Sequence, residues 1–329
     1  MSDSASGPAP TTATTPATTT ATTTVTRNGT PTVTTTAAAP PQLAGRAGYD
    51  PAFLAPGPLV PVPLPSDGTE VVVLPYTHFS VVLRPDRRLA AATVVGIDGG
   101  SLVDLDRGGD AWYLDPRVRP DEQAGAELYA RNDLDRGHLV RRRDPVWGAP
   151  AEAREANADT FSYTNAAPQH ARFNQAMELW LGLEDHVLAY ARRYKQRLVV
   201  VTGPVFADDD PEYRGVRIPL RFFKVAGYLR PQPDGGELSV LASAAFVLDQ
   251  TPLVEEVLAS AAPDVPELGA FRTFQVPVAD VAELTSLDLG PLPAADRLPA
   301  LVAAAAPGVP ADGDVPAWRS VGSPGDLLL

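Results

Sequence analysis

The sequence predicts an α+β domain behind a long amino-terminal segment of different material, and three observations carry that prediction. Valine-rich runs of strand length recur through the middle of the chain. One long segment repeats apolar residues at helical spacing, and strands and helices come in runs rather than in strict alternation. Hydrophobic residues make up 44% of the 329 residues, ample for a substantial core. Residues 1 to about 45 are almost wholly Thr, Ala, Pro, Ser and Gly, as in PATTTATTTVTRNGTPTVTTTAAAPP. They lack the large apolar side chains that offset the entropy of ordering a backbone. This stretch reads as a disordered tail or linker, with the folded domain spanning 46–329.

Order is expected to begin across a proline-rich lead-in from Gly48 to Pro65. EVVVLPY (70–76), HFSVVLR (78–84) and AATVVGID (91–98) read as consecutive strands punctuated by Pro and Gly. DRGHLV (135–140) reads as another strand, followed by the turn-rich RRDPVWGAP, and Ala151–Asn157 as a short helix. Phe173, Met177, Trp180, Leu183, Val187, Ala191 and Tyr194 fall at three- and four-residue steps, one apolar stripe of a helix over 173–194. LVVVTGPVF (198–206), RFFKVAGY (221–228) and LSVLASAAFVL (238–248) look like buried strands. TPLVEEVLAS (251–260) and VADVAELT (278–285) suggest short helices, and no internal repeat is found.

The formal charge of −13 argues against a protein that coats nucleic acid with its whole surface, but not against one cleft that touches a few phosphates. Zero cysteines exclude disulfides and thiolate metal sites. No basic stretch followed by an apolar core opens the sequence, and no apolar run is long enough to span a membrane. A cytoplasmic location is the default expectation, with signal-independent export as the alternative.

Arginine concentrates around one histidine in RNDLDRGHLVRRRD (131–144). Four segments belong together: Arg88 in RRLA, Arg136 and His138 in DRGH, Asn165 in YTNAAPQ, and Asn174 with Glu184 in FNQAMELWLGLE. DRGH by itself is four residues and leaves His138 open between catalyst and packing; the joint order is far more specific. Through that order the chain resembles the DNA/RNA non-specific endonucleases, the sugar-non-specific group that includes endonuclease G. The resemblance takes in YTHFSVVLRPDRRLA, IDG (97–99), WYLDPR (112–117), ELYARNDLDRGHLVRRRDPVWG, DTFSYTNAAPQHARFNQ, WLGLEDHVL, VTGPVF, FFKVAGY and AFVL.

The resemblance implies a ββα-metal (His-Me finger) nuclease with a central, mostly antiparallel sheet flanked by helices. It implies that His138 is the general base, Asn174 the direct ligand of one Mg²⁺, and Glu184 a carboxylate acting on the metal through water. It assigns Arg136 and Arg88 to phosphate oxygens or the transition state, and Asn165 to orienting the segment. Mn²⁺ is expected to substitute for Mg²⁺. DNA and RNA are the implied substrates, cut to 5′-phosphate and 3′-hydroxyl ends, and homodimers are common in the family.

Those residue types suit that chemistry independently. Phosphodiester hydrolysis needs an activated, in-line water and neutralised charge around phosphorus. An imidazole with an ordinary pKa of about 6.5 is a neutral base at physiological pH. Mg²⁺ prefers oxygen and keeps several waters, so one amide oxygen can suffice. Arginine gives phosphate bidentate hydrogen bonds and stays charged.

Each residue also has a plainer reading. Asp135 is read as a structural carboxylate rather than a metal ligand. Arg141, Arg142 and Arg143 are phosphate candidates, yet strand geometry cannot aim all three one way, so at least one makes a surface ion pair. His78, His170 and His186 read as structural, and Trp147 and Trp180 as core or turn anchors. Asn174 and Glu184 are ten residues apart, roughly a quarter-turn from alignment on an unbroken helix, so an interruption is expected there. Gly96 stands where relatives commonly carry asparagine.

Two other functional readings stand beside the nuclease. One is a nucleic-acid-binding module without activity; the other is the same nuclease serving as a toxin or defence effector with an inhibitor or delivery partner. A zinc hydrolase is a poor rival, because no paired histidines fall at ligand spacing.

Overall fold

The structure, a computed structural model, describes residues 43–106, 111–171, 180–232, 239–251, 253–254, 272–298 and 318–321. The expected disordered tail therefore lies outside the described residues, except for its last three positions. Leu43 is buried in the core and Arg46 pairs with Asp159, so packing begins a few residues ahead of Gly48.

In chain order the strands are β1 (Leu64–Pro65), β2 (Val72–Pro75), β3 (Phe79–Arg84), β4 (Leu89–Asp98), β5 (Leu134–His138) and β6 (Ala166–His170). They continue as β7 (Arg197–Val205), β8 (Glu212–Tyr213), β9 (Val216–Arg217), β10 (Arg221–Pro231) and β11 (Ser239–Asp249). Last come β12 (Arg272–Val276), β13 (Leu287–Asp288) and β14 (Arg319–Ser320). Among the described residues the α-helices are α1 (Ala126–Tyr129), α2 (Pro150–Asp159), α3 (Trp180–Tyr194) and α4 (Val278–Thr285). Eight strands form one sheet in the order β14-β12-β11-β10-β7-β4-β3-β2, antiparallel at every pairing. The fold is α+β, as expected. Among the described residues no helix is long and apolar enough to cross a membrane.

Both faces of the sheet are covered, which is why its strands read as unbroken apolar runs. Along β7, Leu198 and Val200 point to one side, in a cluster with Phe79, Phe222, Phe246 and the α3 residues Val187, Leu188 and Ala191. Val199 and Val201 point to the other, with Phe53, Phe223, Val225 and the α4 residues Val278 and Val281. Burying each large side chain contributes about 1.5–3 kcal/mol, so the sheet is a rigid base for whatever is mounted on it.

The expected helix over 173–194 is described from Trp180 onward; 172–179 lie outside the described residues, so the expected interruption does too. Of the helix expected over 251–260, only Thr251, Leu253 and Val254 are described. The helix expected over 151–157 is α2, which starts with Pro150 at a position that has no use for an N–H, and Glu152 reaches back to the Ala149 N–H at 3.4 Å.

β6 is a strand the sequence reading leaves out, because AAPQH carries a proline and no β-branched residue. Among the described residues it pairs with β5 alone, as a two-stranded ribbon with register Leu134↔His170 through His138↔Ala166. Such a ribbon consists entirely of edges, where Pro168 can be accommodated.

Candidate active site

The ribbon presents the DRGH residues by simple alternation. Arg136 and His138 project to one face, Asp135 and Gly137 to the other. A Cβ added at Gly137 would lie 2.1 Å from Gln169 Oε1, so the glycine makes room for the buried side chain of the partner strand.

On the face of Arg136 and His138 an aromatic cluster receives the pair. The His138 ring centroid lies 4.7 Å from Trp112 and 5.1 Å from Phe161, edge-on to the latter at 87°. The Arg136 guanidinium carbon lies 5.4 Å from the centre of the same Trp112 ring. Phe161 and Tyr163 flank Trp112 at 5.4 and 5.6 Å, and Tyr129 of α1 stacks on Tyr163 at 6.1 Å. Burial, then the neighbouring Tyr163, push the Tyr129 hydroxyl far above the ordinary tyrosine value, so it stays protonated.

Asn165 fixes the strand end. Its Oδ1 accepts from Val140 N at 2.8 Å, and its Nδ2 donates to the carbonyls of Val140 and Thr160, each at 3.0 Å. Its own carbonyl accepts from Leu139 N at 2.9 Å. The whole amide is thus spent on backbone, clamping the two residues that follow His138.

The segment carrying Asn165 is itself tied down by a buried polar network. The Tyr76 hydroxyl donates to Asp115 and sits 3.0 Å from Ser162 Oγ and 2.7 Å from Thr164 Oγ1. Arg117 donates to Asp115 through Nη2 at 2.6 Å and Nε at 3.0 Å, and its guanidinium carbon lies 4.7 Å from the centre of the Tyr76 ring. Burial pushes the Asp115 carboxyl up, but hydrogen bonds from Arg117 and Tyr76 outweigh it and hold the group below the usual carboxylate range.

The other arginines have different company. Arg88, in the turn between β3 and β4, adopts the uncommon left-handed φ of 58°. Its Nη2 donates to Glu127 at 3.1 Å and to the Gln123 carbonyl at 3.0 Å, which anchors α1. Arg141 pairs with Asp185 of α3, tying the turn after DRGH to the helix that carries Glu184. Arg142 donates to Asn157 Oδ1 at 3.1 Å. Arg143 shares one Asp104 oxygen with Arg192, at 2.7 and 2.8 Å. Residues 142–145 are turn rather than strand, which sends the three trailing side chains to three different partners. Arg136 has no carboxylate partner among the described residues.

Asn174 lies outside the described residues, as do the side chains of Glu184, Trp180 and His186. The donors expected for the metal, an amide oxygen and a carboxylate, are chemically suited to a hard cation that retains water. Among the described residues no group of three or more His, Cys, Asp or Glu converges.

His78 stacks on Trp147 at 3.4 Å and bonds the Pro145 carbonyl and Glu152, and Trp147 Nε1 donates to the Gly96 carbonyl. A Cβ at Gly96 would press on the Phe53 ring at 3.0 Å, which gives the glycine a packing role. The buried His170 takes part through its backbone N–H, which donates to Gln250 Oε1 at 2.9 Å.

Trp112 is the residue that sequence reasoning passes over. Its position comes from Tyr113, which bridges to Ser162 through bonds between Tyr113 N and Phe161 O (3.1 Å) and between Tyr163 N and Tyr113 O (2.9 Å). WYLDPR is a fixed strip whose Trp meets DRGH, whose Tyr bridges to Ser162, and whose Asp closes on Tyr76.

The chain is 38% identical over 266 residues to the uncharacterized protein y4fB of Sinorhizobium fredii (strain NBRC 101917 / NGR234), covering 74% of this chain and 39% of that protein. It thus spans about two fifths of that relative's length. A crystal structure of the EndoG/EndoGI complex, described as showing the mechanism of EndoG inhibition, superposes with a TM-score of 0.48 at 21% identity. That superposition covers 66% of this chain and 84% of that one. Residues 55–296 match the model of the DNA/RNA non-specific endonucleases, and the chain belongs to that family.

Proposed function

We propose that the protein is a Mg²⁺-dependent endonuclease that hydrolyses phosphodiester bonds of DNA and RNA with little sequence preference, leaving 5′-phosphate and 3′-hydroxyl ends. The observation that carries this reading is the placement of Arg136 beside His138. Among the described residues the guanidinium rests on a π face rather than on a carboxylate, which leaves its N–H donors for a phosphate next to a base.

In this reading His138 takes the proton of the attacking water, with its strand end held by Asn165. Arg136 receives the non-bridging oxygens of the scissile phosphate. Arg88 joins it by exchanging the exposed Glu127 for phosphate, a weak surface pair that costs little to break. Asn174 would hold the cation, with Glu184 acting on it through water, and the metal would supply electrostatic stabilisation of the leaving oxygen. None of these groups reads base edges, which is consistent with low sequence preference.

The test is digestion of supercoiled DNA and of RNA with Mg²⁺, with Mn²⁺ and with EDTA, comparing wild type with His138→Ala and Asn174→Ala. Cleavage by wild type and its loss in both variants and in EDTA are expected. Undiminished cleavage by His138→Ala would remove the proposed base, and wild-type protein that binds DNA but leaves it intact would be a binding module.

A further inference from the structure

We propose that Trp112 is the positioning residue of the DRGH pair, setting the Arg136 guanidinium and the His138 imidazole at one distance from each other. The inference rests on the nuclease reading above and adds a residue to it. One indole meets both side chains, at 5.4 Å for the arginine and 4.7 Å for the histidine. Arg136 is otherwise an exposed, rotamer-rich side chain at the surface of a two-stranded ribbon. A planar guanidinium on an aromatic face loses its freedom while keeping its donors, whereas a carboxylate partner would occupy them.

The indole can serve as a reference because it is itself held. The adjacent Tyr113 is bonded on both sides into the 161–163 segment, and the rings of Phe161 and Tyr163 flank Trp112. That segment leads directly into Asn165, which clamps the residues after His138. Trp112 and the end of β5 are therefore both fixed to the same short stretch of chain, so the distance between them does not depend on the length of the loop that carries the tryptophan. Misplacement of a catalytic group by about 1 Å can cost a hundredfold in rate, which is the scale on which this placement matters.

The experiment compares Trp112→Phe, which keeps a π face, with Trp112→Leu, which keeps bulk alone, on a short DNA duplex with Mg²⁺. Trp112→Leu is expected to lower kcat roughly 10- to 100-fold with KM nearly unchanged, and Trp112→Phe to recover most of the loss. Adding Trp112→Leu to Arg136→Ala is expected to cost less than it does alone, because one of the two groups it positions is gone. Duplex affinity in EDTA and the thermal midpoint of Trp112→Leu are expected to stay near wild type. A wild-type kcat in Trp112→Leu would overturn the inference. So would weakened duplex binding in EDTA with kcat retained, the mark of a base-stacking platform, or equal losses in both variants that follow a lowered thermal midpoint. Arg136→Ala and His138→Ala are assayed alongside. If they cleave like wild type the nuclease reading of this site fails; if they are inactive while Trp112→Leu is not, the positioning inference fails alone.

Discussion

Arg136 and the run Arg141–Arg143 lie within eight residues of sequence, yet the fold treats them in opposite ways. Arg136 rests on the Trp112 ring beside His138. Arg141 is paired with Asp185, Arg142 bonds Asn157, and Arg143 shares Asp104 with Arg192. Strength of pairing is not the main difference, since surface ion pairs contribute only about 0–1 kcal/mol. Position is. In the proposed reaction Arg136, fixed beside His138, contributes at the moment of reaction, whereas Arg141, Arg142 and Arg143, held elsewhere, contribute only to holding the substrate.

Substitution sharpens that contrast, and the largest effects are expected at the pair itself. His138→Ala is expected to lower kcat by about 10²–10⁴-fold. Arg136→Ala is expected to lower it by about 10²–10³-fold, measured under saturating DNA. Arg136→Lys keeps the charge but loses the planar fork, and is expected to recover little of it.

Smaller effects are expected in the support. Asn165→Ala leaves the Val140 N–H and two backbone carbonyls without their buried partner, so it is expected to cost about 2–4 kcal/mol in denaturant unfolding. An unfolding midpoint equal to that of wild type would show that the clamp does not matter.

Asp115 gives a pH-dependent case. Its folded carboxyl lies below its unfolded value of about 3.9, so its contribution is complete above that pH and is lost as pH falls through the folded value. Asp115→Asn is accordingly expected to lower the thermal midpoint at neutral pH, with the gap to wild type closing in acid. A gap that widened in acid would reverse the sign and contradict the assignment.

The smallest effect is expected at Arg143, where substitution by Ala removes one half-exposed partner of Asp104. Stability is expected to change by no more than about 0.5 kcal/mol, and the salt dependence of DNA binding only slightly.

The sheet was largely legible because each face is buried, so Val199 and Val200 are both apolar although they point in opposite directions. β6 was not, because Pro168 and two alanines carry no strand signal and the pairing with β5 supplies it. His138 and Arg136 stood out as candidates through the order of segments that follow them, and alternation on β5 puts the two on one face. Trp112 was not, because its place depends on the Tyr113–Ser162 bridge, a contact that no local spacing encodes. The partners of Arg141, Arg142 and Arg143 were hidden for the same reason. That at least one would form an ordinary ion pair could be argued from geometry, but Asp185 and Asp104 reach them only through the fold.

The central claim is that Arg136, held on the Trp112 face, acts in the proposed reaction and Arg143, paired with Asp104, does not. Single-turnover cleavage of plasmid DNA by Arg136→Ala and Arg143→Ala, at saturating protein, tests it most directly. The predicted result is a rate at least about a hundredfold below wild type for Arg136→Ala and within about threefold of wild type for Arg143→Ala. Equal losses in the two variants, or the larger loss in Arg143→Ala, would contradict it.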